Sequence, residues 1–160
     1  MRTDGKRRTT LLIVVLAITF SMVTTSMAAA QGKWYAEYFA NATLSGGPVL
    51  TRYEDELTFD WGGGSPGHGV PADGFSARWT GSFWFEGGTY RFSYRTDDGL
   101  RIWVDGTLVV DDWQEQQAAW SFVDQYISRG THAVRVEYFE QGGGARVQVA
   151  WERVSGGDVW

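Results

Sequence analysis

The segment YRTDDGLRIWVDG, residues 94–106, sets two carboxylates side by side between aromatic and apolar residues. Side chains alternate along an extended chain, so Asp97 and Asp98 would ordinarily point to opposite faces. Three kinds of chemistry suit such a pair. Asp-Asp-Gly is a turn sequence in its own right, because Asp and Gly tolerate turn dihedrals. Two neighbouring acids are also compatible with a bound divalent cation. A hydrolytic acid/base pair is the third reading, but glycosidases hold their carboxylates about 5–9.5 Å apart across a cleft, and adjacent residues on an open turn serve that poorly. No Ser/His/Asp set, Cys/His set or phosphate loop accompanies the acids, so catalysis is not expected. His68 lies in a Gly/Pro-rich loop and His132 opens a strand; with no second His or Cys at ligand spacing, zinc is not expected either.

The elements around the acids read as strands. Short runs of β-branched and aromatic residues are separated by Gly, Asp and Asn, and no 3.6-residue period appears after residue 30. The spacing predicts strands over 34–39, 57–61, 75–85, 89–95, 100–105, 107–111, 119–127, 132–139 and 145–151. Tyr90, Phe92 and Tyr94 alternate with Arg91, Ser93 and Arg95, and Val147, Val149 and Trp151 with Arg146, Gln148 and Ala150, so one face is buried and the other wet. Asp105-Gly106 reads as a type I′ hairpin turn. The fold class expected is all-β: an antiparallel β-sandwich, or barrel-like two-sheet domain.

Three loops are long enough to carry function: residues 62–74, 111–120 and 140–144. Trp61, Trp79 and Trp151 are expected in the core, Arg78 in a structural ion pair or bonded to a backbone carbonyl, and Asp111 and Asp112 as solvated turn residues. Trp113 and Trp120 flank a loop, where an aromatic face could stack on a pyranose ring or simply pack at the rim of the core. Trp103 is out of phase with Leu100, Ile102 and Val104, which either points it outward near the acids or packs it against the other loops.

The chain opens with a basic run, Lys6, Arg7 and Arg8, an apolar stretch from Leu11 to about Val23, and Ala28-Ala29-Ala30. This is the pattern of a secretory signal peptide over residues 1–30, cut after Ala30, followed by one domain over 31–154 and a flexible tail over 155–160; an uncleaved membrane anchor is the other reading, against which stand the small-residue cleavage site and an apolar core short for a span. The chain is then expected to be secreted, extracellular or at the cell surface, and free of the membrane after cleavage. Of the 14 Lys+Arg and 19 Asp+Glu, residues 31–160 keep 10 and 18, a formal charge of −8. An acidic surface argues against nucleic acid as a partner, which needs clustered Lys and Arg. There is no Cys, so a core, with or without a metal, must supply the stability, and a monomer is expected.

From Trp34 to Trp151 the order WYAEYFANATLSGGPVLTRYEDELTFDWGGGSP, DGFSARWTGSFWFEGGTYRFSYRTDDGLRIWVDGTLVVDDW and GTHAVRVEYFEQGGGARVQVAW resembles the PA-fourteen domain. That module is named for the protective antigen of anthrax toxin and occurs in yeast flocculins and in bacterial glycosidases and adhesins. The resemblance implies a β-sandwich and, as in the lectin-like members, calcium-dependent glycan or polysaccharide binding. In those members two consecutive Asp residues joined by a cis peptide hold Ca²⁺, with help from a loop between the last two core strands. The pair falls on Asp97 and Asp98, and the loop on Glu140 to Gly144.

The metal ligands this implies are Asp97, Asp98, Glu140 and the Gly142 carbonyl, with Glu140 or Gln141 supplying the third side chain. The lectin-like members use an amide where this register puts the acid Glu140. Ca²⁺ takes about six to eight oxygens, so these groups would leave positions for two sugar hydroxyls, with Asp97, Asp98, Trp103, Trp113 and Gln141 contacting the ligand. The function implied is a lectin-like module without catalysis. The other reading of the same fold is a protein-interaction or extracellular-matrix structural domain.

Overall fold

A computed structural model describes residues 32–155. The expectation for residues 1–30, and that for the tail beyond Ser155, lie outside the described residues. Eight strands make up the domain: β1 Trp34–Phe39, β2 Leu50–Glu54, β3 Leu57–Gly62, β4 Phe75–Asp97, β5 Gly99–Val104, β6 Thr107–Asp112, β7 Ala119–Glu140 and β8 Ala145–Ser155. Every pairing is antiparallel, and the all-β expectation holds.

The frame of the domain is the ribbon of β4 and β7, paired from Phe75↔Glu140 to Thr96↔Ala119. The first half of β4 also takes β1, and the second half takes β8. The last part of β7 takes β5. One layer therefore runs β2-β1-β4-β7-β5-β6, and the other runs β3-β8-β4-β7, with the ribbon passing through both. The aromatic core lies between them. Phe59 of β3 stacks on Trp79 of β4 at 6.0 Å, Trp61 meets Tyr138 at 6.1 Å, and Phe85 stacks on Trp151 at 5.6 Å. Trp79 is fully buried, while Trp61 and Trp151 pack partly buried against the same cluster.

Three sequence expectations are corrected here. Residues 75–85 and 89–95 form one strand, as do 119–127 and 132–139. The glycines read as strand ends are corners within continuous strands. Gly87 has φ 78° and Gly130 φ 146°, and a Cβ on Gly87 would stand 3.2 Å from the Arg129 nitrogen. Glycine lets the paired chains bend from one layer into the other without losing their ladder. Strand β2 was not foreseen: LTRYE is a half-buried edge strand paired only to β1, so its apolar alternation is weak. Asp111 and Asp112 close strand β6 rather than forming a turn; Asp111 is exposed, as expected of a solvated residue, and accepts a 2.8 Å bond from Arg101 Nε.

Other local readings are met. Asp105 (φ 48°) and Gly106 (φ 80°) make the left-handed hairpin turn between β5 and β6. Arg78 Nε donates to Glu137 Oε1 at 3.0 Å, with Glu37 Oε2 3.8 Å from its guanidinium.

Candidate cation site

Strand β4 ends at Asp97 and β5 begins at Gly99, so Asp98 is the whole connection between two strands that lie in different parts of the sandwich. The Asp97–Asp98 peptide is cis. The Asp98 N–H donates to the Phe139 carbonyl at 3.3 Å, which ties the connection to the end of β7. Glu140 closes β7 opposite Phe75. Ligand oxygens of Asp97, Asp98 and Glu140 all lie within 4.8 Å of one another. Asp98 and Glu140 are buried, and Asp97 is half-buried.

The loops of the sandwich end close over these acids. Asp98 Oδ1 accepts from the Gln116 N–H at 3.1 Å, Oδ2 accepts from the Gln141 N–H at 2.8 Å, and Gln116 Nε2 donates to the Asp98 carbonyl at 3.3 Å. Asp73 Oδ1 accepts from the Gly143 N–H at 3.1 Å, which fixes the third loop. The single hydroxyl proton of Tyr138 bridges the Asp97 carbonyl and Glu140 Oε2 (3.2 Å). Among the described residues, Glu140 Oε1 is buried without any hydrogen-bond partner.

Of the residues singled out from the sequence, Asp97, Asp98 and Glu140 converge. Gln141 joins them through its backbone N–H while its side chain is exposed, and Gly142 lies exposed in the same turn. Trp113 sits at the rim, packed on Phe139 at 4.8 Å under the Arg101 guanidinium, 4.7 Å from its ring centre. That is a buttress for the loop that carries Gln116. Trp103 does not join the site. It lies at the far end of β5, about 16 Å from Asp98 along the strand, with the Arg135 guanidinium 4.0 Å from its ring centre. Its phase along the strand was right, but the direction of β5 carries it away from the acids. Asp73, Gln116 and Tyr138 were not picked out from the sequence. The first two lie in loops without periodicity, and Tyr138 reads as an ordinary core position.

The PA14 domain family model matches residues 29–159. The chain belongs to the PA14 domain family. Among curated proteins, this PA14 domain is similar to anti-sigma-I factor RsgI3 of Acetivibrio thermocellus, 34% identical over 123 residues, covering 74% of this chain and 19% of that protein. It thus spans about a fifth of that relative's length. Among solved structures it superposes on an anti-sigma factor domain-containing protein with TM-score 0.72 at 32% identity, over 78% of this chain and 44% of the other. A PA14 sugar-binding domain from an RTX adhesin shares the fold at TM-score 0.60 and 24% identity, over 78% of this chain and 90% of that one.

The PA14 site is electrostatically unbalanced by its own residues. Burial, then the neighbouring Asp98, pushes the Glu140 carboxyl up to about 7. Burial and then Asp98 also raise Asp97. A cation relieves both effects. The donor set fits a hard ion: every candidate ligand is an oxygen, no His or Cys is in the cluster, and one buried oxygen has no partner. Because the Glu140 pKa in the folded, metal-free domain lies above its unfolded value, its contribution to stability is present at low pH and is lost as pH rises through about 7. Chelator-stripped protein is therefore expected to melt higher at pH 5 than at pH 8. Glu140→Gln should flatten that dependence, raising metal-free stability at pH 8 by about 1–3 kcal/mol. Thermal melts of both proteins at the two pH values check this.

Proposed function

We propose that this PA14 domain is a calcium-dependent carbohydrate-binding module that works outside the cytoplasm and performs no chemistry. The observation that carries the reading is the convergence of Asp97, Asp98 and Glu140 within 4.8 Å beside exposed loop residues Gln141 to Gly144. Asp97, Asp98, Glu140 and the Gly142 carbonyl would hold Ca²⁺, and the bound ion would supply open positions for a pair of adjacent sugar hydroxyls. The chain's own groups do the rest. Asp98 anchors the Gln116 and Gln141 loops through their backbone N–H groups, so the rim of the site is set before ligand arrives. Carboxylate oxygens accept from sugar hydroxyls, and the exposed Gln141 amide can donate to or accept from a ring substituent.

The fold shared with a sugar-binding adhesin domain supports this reading. The same spacing argues against hydrolysis, because three carboxylates clustered on one spot do not flank a bond. Binding of the folded protein to a glycan array is expected in calcium, lost in EGTA and restored by adding calcium back. A folded preparation that gives no calcium-restored signal on any glycan would defeat the proposal.

A further inference from the structure

The outer face of the β3–β8–β4–β7 layer carries a row of aromatic rings that the acid site does not use. Trp120, Phe122 and Tyr126 share the outer face of the first half of β7, with Asp124 between the last two, and are 63%, 63% and 56% exposed. At a strand's rise per residue the row is about 20 Å long. One end adjoins the acids, since Trp120 lies opposite Arg95, two residues before Asp97 on β4. The Arg91 guanidinium lies over one face of the Phe122 ring, 4.2 Å from its centre, and is itself clamped by two 2.7 Å bonds to Asp124, which fixes the ring and leaves its remaining surface exposed. Arg91, Ser93 and Arg95 lie opposite the β7 residues and run beside the rings as a polar strip.

We propose that this face is a platform on which successive rings of an extended, uncharged polysaccharide stack, continuing outward from the acid site. The inference rests on the carbohydrate-binding reading of that site and deepens it by naming a polymer as the ligand. Aromatic faces match the apolar C–H face of a pyranose, and the hydroxyl and guanidinium groups alongside match its hydroxyls. The clamp on Phe122 lowers the ordering cost of binding. A row of this length exceeds a single sugar ring, and continuity with the acids gives a chain one path across both. The net charge of −5 and the acid cluster oppose a polyanion.

The test is isothermal titration, in calcium, of the whole chain with hexasaccharides of β-1,4-linked glucose, xylose and mannose and with the three monosaccharides. Wild type is expected to bind at least one hexasaccharide about tenfold or more tighter than its monosaccharide. Trp120→Ala and Phe122→Ala should each weaken the hexasaccharide by about tenfold and leave the calcium-induced melting shift unchanged, which shows that fold and acid site are intact. Equal binding of hexasaccharide by wild type and both variants overturns the platform and leaves the acid site standing, as does equal affinity for hexasaccharide and monosaccharide. Absence of binding to all six sugars overturns the platform. Sedimentation showing that wild type self-associates and Trp120→Ala does not would assign the face to a second copy of this chain, and also overturns it.

Discussion

Calcium is expected to raise the melting temperature of the wild-type domain, and Asp98→Ala is expected to abolish that rise. A ligand that binds only the native state at a hundred times its Kd stabilises by about 2.7 kcal/mol, roughly 10 °C for a domain of this size. Asp98 is the residue on which that gain depends most. Its carboxylate is the first charge felt by both Asp97 and Glu140, and both of its oxygens also receive backbone N–H groups, from Gln116 and from Gln141. Alanine removes a ligand and orphans two donors at once, so metal-free stability should fall as well, by about 1–3 kcal/mol. Asp98→Asn separates the two effects, because it keeps an acceptor for the loops while removing the charge. Melting curves of the three proteins with and without calcium measure both quantities. A full calcium shift in Asp98→Ala would sink the assignment of the metal site.

Gly99→Ala should be nearly as damaging, for a steric reason. An added Cβ at position 99 would stand 2.1 Å from Cε1 and 2.6 Å from Cδ1 of Phe139. That ring cannot simply retreat, since Trp113 packs on it from the loop side at 4.8 Å. Overpacking of this kind costs about 1–3 kcal/mol, and the displacement would pass to the two elements that frame the acids: the Asp98 connection and the end of β7. Lower stability together with at least tenfold weaker calcium binding is expected in titration calorimetry. Phe139→Leu in the same chain makes room for the methyl, so the double variant should recover much of the loss, a non-additivity that marks direct contact. Equal calcium affinity in Gly99→Ala and wild type would show that the glycine does not position the site.

Much of this was legible because it is local. Alternation at Tyr90, Phe92 and Tyr94 and at Val147 and Val149 depends only on the pleat, and the structure buries Tyr90, Phe92, Val147 and Val149. The positive φ values at Asp105 and Gly106 depend only on what those residues tolerate. The three loops picked out for their length are the three that meet over the acids. Glu140 was reached through family resemblance rather than any pattern in its neighbours. Trp103 was misplaced because strand phase tells which face a side chain takes, but not which end of the sandwich it occupies.

The sequence by itself determined the strand class, the hairpin turn and the position of the adjacent acids, since each follows from the dihedral and alternation preferences of a few consecutive residues. Tertiary structure alone decided that Gln116, Asp73 and Tyr138 gather around Asp97, Asp98 and Glu140. Those residues come from separate segments, and only the register of the β4–β7 ribbon, summed over more than twenty paired residues, brings them to the same end of the sandwich.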